Sequence, residues 1–354
     1  MEESRSVKKI QGKCPSCGAS LKFSPTDAGL HCAFCNTVQK LKYNKNVTKK
    51  DYSLSSEDRQ GYSSFAQESK VFACNNCGAK VVLNNLEVAK SCPYCGGSCV
   101  MDNSEMSGLS PDAIIPFKFS TEQAIELYKQ GVKKKWFLPN KFKKSPPTDN
   151  VNGVYIPCFS FDANTHTEYH GKLSTNHTRR LPNGKTQTYK TYQTIMGNHD
   201  MSHQDILVET SSHVDQAMFN ELAPFNLNEL VKFDSGFIMG YSVEHYNQSL
   251  QNCKTVGNTI MKQVIRRKVL SKYSYDNVEY FEQNTSFSNE KFSYCIFPTY
   301  QVLYKYKNKP YVTFMNGQTG KVGGGLPRSA VKITFFVLMW VIILAGIFAL
   351  IYFS

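Results

Sequence analysis

Four Cys-x2-Cys pairs, arranged as two copies of one pattern, constrain this chain more than any other feature. Cys14-x2-Cys17 and Cys32-x2-Cys35 are separated by 14 residues, and Cys74-x2-Cys77 and Cys92-x2-Cys95 repeat that spacing sixty positions later. Both copies also carry Gly-Ala after their second cysteine, Gly18-Ala19 and Gly78-Ala79. Two thiolates at this spacing face one ion, and a hairpin brings the second pair opposite the first, completing a tetrahedral four-cysteine zinc site. Disulfides and a thioredoxin-like redox motif are the competing readings. A cytoplasmic address disfavours the first, and the absence of a βαβ context disfavours the second. With all four positions taken by thiolates no open position remains, so the expected Zn2+ ions, two in all, are structural. Segments this short bury too little to fold alone, so metal binding supplies on the order of 10 kcal/mol of their folding energy. Cys99 reads as a bystander thiol with an alternative role as ligand; Cys158, Cys253 and Cys295 read as core cysteines.

The second constraint lies at the other end. Ile333–Phe353 reads ITFFVLMWVIILAGIFALIYF, 21 residues without a charge. As a helix it is roughly 31 Å long, enough to cross a hydrocarbon core. Lys321, Arg328 and Lys332 all precede it, which by the positive-inside rule places everything N-terminal to it in the cytoplasm. No apolar leader precedes Cys14 and only Ser354 follows the span, so the expectation is a tail-anchored, single-pass cell-membrane protein.

These two features divide the 354 residues into a multidomain chain: zinc ribbon 1 over 10–40, a flexible linker over 41–70, zinc ribbon 2 over 71–105, an α+β domain over 112–320, a juxtamembrane linker over 321–332 and a transmembrane helix over 333–353. The linker is polar and aperiodic, which predicts ribbons that move independently. Residues 1–50 hold ten Lys/Arg against three acids, whereas residues 71–105 hold two against three. Phosphate contact, to nucleic acid or lipid headgroups, is therefore expected of the first ribbon if of either.

In the central domain Ser120-Thr-Glu-Gln123 is a capping box for a helix over about 121–137, with Ala124, Ile125, Tyr128, Val132 and Trp136 at helical spacing. Lys133–Lys135, Lys141, Lys143 and Lys144 interleave with Trp136, Phe137 and Phe142; a solvated helix end is the simpler reading, a nucleic-acid or lipid surface the sharper one. From Val151 aromatic and β-branched residues alternate with polar ones, with hairpin turns at Asn183-Gly184 and Asn316-Gly317. A second helix over 248–271 runs through Val256, Ile260, Val264 and Ile265. The order predicts a mainly antiparallel sheet with two helices packed on it.

Catalytic motifs fail on inspection. Met315–Lys321 has Met where a phosphate-binding loop needs its first Gly, and Val322 where it needs Ser or Thr. His199-x3-His203 copies zincin spacing, but Asp200 replaces the general base and the flanks read as strand; His166, His170, His177 and His213 are scattered by strand placement. No catalytic residue is assigned, and the expectation is a protein without enzymatic activity.

The two ribbons, Ile115-Pro-Phe117, Lys133-Lys-Lys-Trp-Phe137, Gly153-Val-Tyr-Ile-Pro157, Met315–Lys321 and the terminal span together resemble the bacterial membrane-anchored double zinc-ribbon proteins. These are known as TFIIB-type zinc-ribbon proteins or as similar to the replication-restart helicase primosomal protein N′. The resemblance implies a non-enzymatic anchor that recruits a soluble partner, flotillin-like (SPFH) in some relatives, to the membrane. It carries over Cys14, Cys17, Cys32, Cys35, Cys74, Cys77, Cys92 and Cys95 as zinc ligands. The helicase likeness rests on the CxxC pairs alone; a membrane-associated nucleic-acid binder is the alternative.

Overall fold

The computed structural model describes residues 12–52, 69–84, 92–97, 99–102, 109–211 and 213–353. Ribbon 1 is a three-stranded antiparallel sheet of β1 (Lys22–Ser24), β2 (Gly29–His31) and β3 (Val38–Lys40). The remaining strands form one 12-stranded sheet. They are β4 (Lys50–Asp51), β5 (Ser69–Cys74), β6 (Lys80–Asn84), β7 (Cys99–Asp102), β8 (Ala113–Ile114), β9 (Val151–Arg180), β10 (Thr186–Glu209), β11 (Val231–Lys232), β12 (Ser242–Glu244), β13 (Asn277–Tyr306), β14 (Lys309–Asn316) and β15 (Val322–Gly324). The helices are α1 (Thr121–Lys134), α2 (Asn140–Lys144), α3 (Gln216–Leu222), α4 (Leu250–Leu270) and α5 (Ala330–Phe353).

The sheet is organised by β9 and β13, 30 residues each, paired antiparallel along nearly their whole length. β10 lines the free side of β9 from Cys158 outward, and β14 lines β13 near its C-terminal end. Among the described residues only the β12–β9 and β13–β8 pairings are parallel. Burial along β9 explains why it outruns any single alternating pattern. Residues 154–161 are buried without interruption, because both sheet faces are covered there; beyond them burial alternates where one face meets water. Tyr155, Phe159 and Phe161 join one core with α1, α4 and ribbon 1, while Val154, Ile156 and Cys158 join another with α3 and ribbon 2.

α1 starts as its capping box requires: the Ser120 hydroxyl accepts from the Gln123 N–H, and the Gln123 side chain accepts from the Ser120 N–H. It ends at Lys134, leaving Trp136 and Phe137 beyond it, 49% and 40% exposed. α4 occupies the expected range but turns a different stripe inward. Cys253, Gly257, Met261 and Ile265 are buried while Val256 is 39% exposed, because Gly257 lets the helix approach Phe161 and Val208 more closely than a side chain would.

Three boundaries need correction. Residues 41–52 are not linker: Leu41 is buried, β4 pairs with β13, and Lys49 bonds Asp162 and Asp205. Residues 53–68 of the expected linker lie outside the described residues. The juxtamembrane linker is shorter than 321–332, since β15 joins the sheet through β14 and α5 begins at Ala330. The ribbons are also not free modules. Phe23 of ribbon 1 packs edge-on against Phe237 at 5.4 Å and its N–H donates to the Met239 carbonyl at 2.8 Å. Ribbon 2 enters the main sheet through β6–β12.

α5 spans 24 residues with mean hydropathy 2.8 over its most apolar stretch and buries none of it against the rest of the chain. A helix of that length, about 36 Å, is long and apolar enough to cross a membrane.

Candidate metal centres

Each cysteine pair sits in one repeated backbone motif, a knuckle. The residue four positions after the first cysteine donates its N–H to that cysteine's carbonyl, at 2.8 Å for Gly18, 2.9 Å for Asn36, 3.0 Å for Gly78 and 2.9 Å for Gly96. Closing so tight a turn requires the left-handed region, and these four residues have φ of 75°, 58°, 73° and 73°. Glycine fills three positions and asparagine, the next most tolerant residue, the fourth. The following residue accepts from the first cysteine's N–H, as Ala19, Thr37, Ala79 and Gly97 do. The left-handed residue after each pair is a signal that the sequence reading noted in two knuckles and missed in Asn36 and Gly96.

Two knuckles face each other in each ribbon. Cys14, Cys17, Cys32 and Cys35 have mutually close sulfurs, as do Cys74, Cys77, Cys92 and Cys95, each set within 4.8 Å. Individual Sγ–Sγ separations are 3.4 Å (Cys14–Cys35), 3.5 Å (Cys17–Cys32), 3.5 Å (Cys74–Cys95) and 3.7 Å (Cys77–Cys92). A tetrahedron with metal–sulfur bonds of about 2.3 Å has edges of about 3.8 Å. Each set is thus able to hold a metal ion, and a soft all-thiolate tetrahedron is consistent with zinc. Cys99 stands outside the second set and packs at the apolar edge of the sheet.

The electrostatics point the same way. Burial opposes ionisation of Cys14, but the N–H groups of Cys17 and Ser16 outweigh it and bring the thiol down to about 6. Cys74 also falls to about 6, through Cys77 and Asn76. The Ala19 N–H favours the Cys17 thiolate, yet contacts with Cys32 and Cys35 push it up to about 12, and burial pushes Cys92 up to about 12. Four thiolates in van der Waals contact repel one another; a bound dication lets all four ionise together.

Ribbon 2 is also fastened by a polar contact absent from the sequence reading. Tyr94, between Cys92 and Cys95, donates its hydroxyl to the fully buried Glu244 on β12 and stacks on His213 at 4.0 Å. Ser211 donates to the same carboxylate at 2.6 Å.

The other motifs end up apart. His199 and His203 lie on the face of β10 that meets α4, where burial lowers both pKa values, whereas His166 pairs with Asp200 and His170 with Glu282 on the opposite face. Residues 316–321 form a β14–β15 turn in which the Asn316 side chain accepts from the N–H groups of Gln318 and Thr319; a strand follows rather than a helix. Of the basic residues near ribbon 1, Lys49 and Lys50 are committed to Asp162, Asp205 and Asp112 within the sheet.

No family model matches this chain, and no solved structure matches it. Among curated proteins, one from Bacillus subtilis (strain 168) named "Uncharacterized protein YdjG" is 24% identical over 330 residues, spanning 92% of each chain. The likeness thus extends over most of the length of both chains.

Proposed function

We propose that this protein is a non-enzymatic, membrane-anchored zinc-ribbon scaffold that holds a soluble protein partner at the cytoplasmic face of the membrane. The observation that carries the proposal is Phe34. It is 84% exposed at the tip of the second knuckle of ribbon 1, next to the ligand Cys35, more exposed than any other large apolar side chain among the described residues outside α5. A rigid metal knuckle holding an aromatic ring in water is a preorganised anchor for a partner's pocket. Tethering raises the partner's effective concentration at the bilayer without chemistry. Lys321 and Arg328 before α5, and Lys332 in its first turn, favour the cytoplasmic orientation. A flotillin-like (SPFH) protein is the partner that the family resemblance implies.

The test is co-purification of the full chain in detergent from nuclease-treated membranes, beside Phe34→Ser. The variant should keep two zinc ions per chain and lose a stoichiometric SPFH-type partner. Equal recovery of that partner with both proteins rejects docking through ribbon 1.

One observation favours a second reading, nucleic-acid binding, at a place other than the one the sequence suggested. Between Leu250 and Leu270 there are five Lys/Arg and no acid, and between 171 and 192 another five and no acid. α4 packs on β9 and β10, and its C-terminal half, with Lys262, Arg266, Arg267 and Lys268, lies towards the end of the long strands that carries residues 171–192, while Lys254 pairs with Glu290 nearer their base. Exposed Tyr189 and Tyr192 lie among these charges, with Lys172 over the Tyr192 ring at 4.4 Å. This reading expects retention of single-stranded DNA or RNA at low salt that falls steeply as salt rises; no retention at low salt removes it.

A further inference from the structure

The junction between the sheet and α5 contains a cleft of about 810 Å3, lined by Lys135, Trp136, Phe137, Lys321, Arg328 and Phe336 with Gly324, Leu326 and Ile333. Its apolar side is a small aromatic stack. Phe137 and Trp136 meet Phe336 edge-on at 5.4 and 6.0 Å, so the Trp-Phe pair after α1 sits against the first turns of the apolar helix. Lys332 clamps that arrangement, donating to the carbonyls of Trp136 (3.1 Å) and Leu138 (2.9 Å) and to Asn140 Oδ1 (2.7 Å), while the Ser329 N–H donates to the Phe137 carbonyl at 2.8 Å. The wall is therefore built rather than draped.

The polar side is cationic. Lys135 and Arg328 are exposed at the cleft, and Lys321 donates to the Ala223 carbonyl. One acid faces the cleft, Glu221, and it accepts from the Gly324 N–H at 3.1 Å. A cavity with an aromatic wall against a membrane-entering helix and a cationic rim matches one amphiphile, whose acyl chains run along the helix and whose headgroup is negative.

We propose that this cleft binds one anionic phospholipid, its phosphate held by Lys135 and Arg328 and its upper acyl chain packed on Trp136, Phe137 and Phe336. The proposal rests on the reading that α5 spans a bilayer, and it adds to that reading a specific lipid site. Bound lipid would bridge residues 135–137 and 328–336, setting the sheet at a fixed angle to the membrane.

The test uses the two tryptophans in the chain, Trp136 and Trp340. Full-length protein carrying Trp340→Phe is reconstituted in phosphatidylcholine vesicles. These contain the same low mole fraction of either acyl-brominated phosphatidylglycerol or acyl-brominated phosphatidylcholine, and Trp136 quenching is read. The brominated phosphatidylglycerol should quench preferentially, with an apparent affinity roughly fivefold higher for each basic side chain engaged. Lys135→Gln with Arg328→Gln should abolish the preference. Glu221→Gln should enlarge it, a gain that misfolding cannot imitate.

Equal quenching by the two lipids overturns the proposal while leaving the membrane reading intact. Competition by added inorganic phosphate overturns it in favour of a soluble-anion site. If neither lipid quenches Trp136 and the parental Trp340 is also unquenched, α5 does not enter the bilayer and the underlying reading fails with it.

Discussion

Glu209 illustrates how a single side chain departs from what its sequence neighbours announce. It ends β10 in the text Asp-Ile-Leu-Val-Glu-Thr, where an acid reads as a solvated strand end, yet it is 4% exposed. Burial pushes its carboxyl up to about 9, against the Ser211 N–H that bonds it and with the charges of Glu244 and Asp215 adding to the rise. Its folded value thus lies above that of the unfolded chain. The stability it contributes is full below the ordinary glutamate range and is lost as pH climbs towards about 9, at up to about 1.36 kcal/mol per pH unit. Gln keeps the acceptor for Ser211 and cannot ionise. Glu209→Gln should therefore melt higher than the parent in detergent at about pH 8, by a margin that shrinks towards about pH 6. A margin independent of pH would mean that Glu209 is already ionised in the fold. The eight clustered cysteines are the opposite case at this scale. Their spacing and the left-handed residue that follows are local, so they are legible in the chain; the surroundings of Glu209 include Gln216 of α3 and Glu244 of β12, which approach from elsewhere.

At the scale of elements, legibility follows how locally each element is specified. α1 carries its own start signal and the turns at Asn183-Gly184 and Asn316-Gly317 carry theirs, and all three appear where expected. The 30-residue strands do not announce themselves, because their text changes from continuous apolar to alternating where the cover over one face ends. Read locally, that change suggests separate strands. The α4 stripe was displaced for a related reason: Gly257 and Cys253 are weak hydrophobic signals, yet they make the closest approach to the sheet. α1 supplies a test. Its Gly131 lies against Val322 of β15, so the helix braces the strand that leads into α5. Ser120→Ala should cost about 1 kcal/mol and lower the melting temperature by roughly 2 °C, whereas Ser120→Asp, which keeps the cap, should not. If Ser120→Ala melts like the parent, α1 is held by packing alone.

For the whole molecule the sequence suggests beads on a string, and the structure joins the beads. The two ribbons are joined in different ways, so disabling the cysteine set of each should have different consequences. Ribbon 1 rests on the sheet through side chains, chiefly Phe23 on Phe237 and Tyr241, a contact worth about 2 kcal/mol if fully exposed on release. Ribbon 2 is continuous with the sheet: β5, β6 and β7 extend it past β12, and Tyr94, flanked by two ligands, bonds the buried Glu244. Unfolding of ribbon 2 on loss of a bound ion would withdraw three strands and leave that carboxylate without its tyrosine. Each double variant, Cys14→Ser/Cys17→Ser or Cys74→Ser/Cys77→Ser, is expected to reduce bound zinc from two ions to one by metal analysis. Hydrogen exchange should then separate them. The first variant should lose protection around Phe237–Tyr241, with the long strands unchanged. The second should lose it at Ser242–Glu244 and lower the melting temperature of the whole domain by more. Unchanged protection at both places would restore the independent ribbons that the polar linker suggested. The predicted asymmetry would instead make ribbon 2 part of the domain's stability and leave ribbon 1, with its exposed Phe34, as the arm that a partner can engage without unfolding the base.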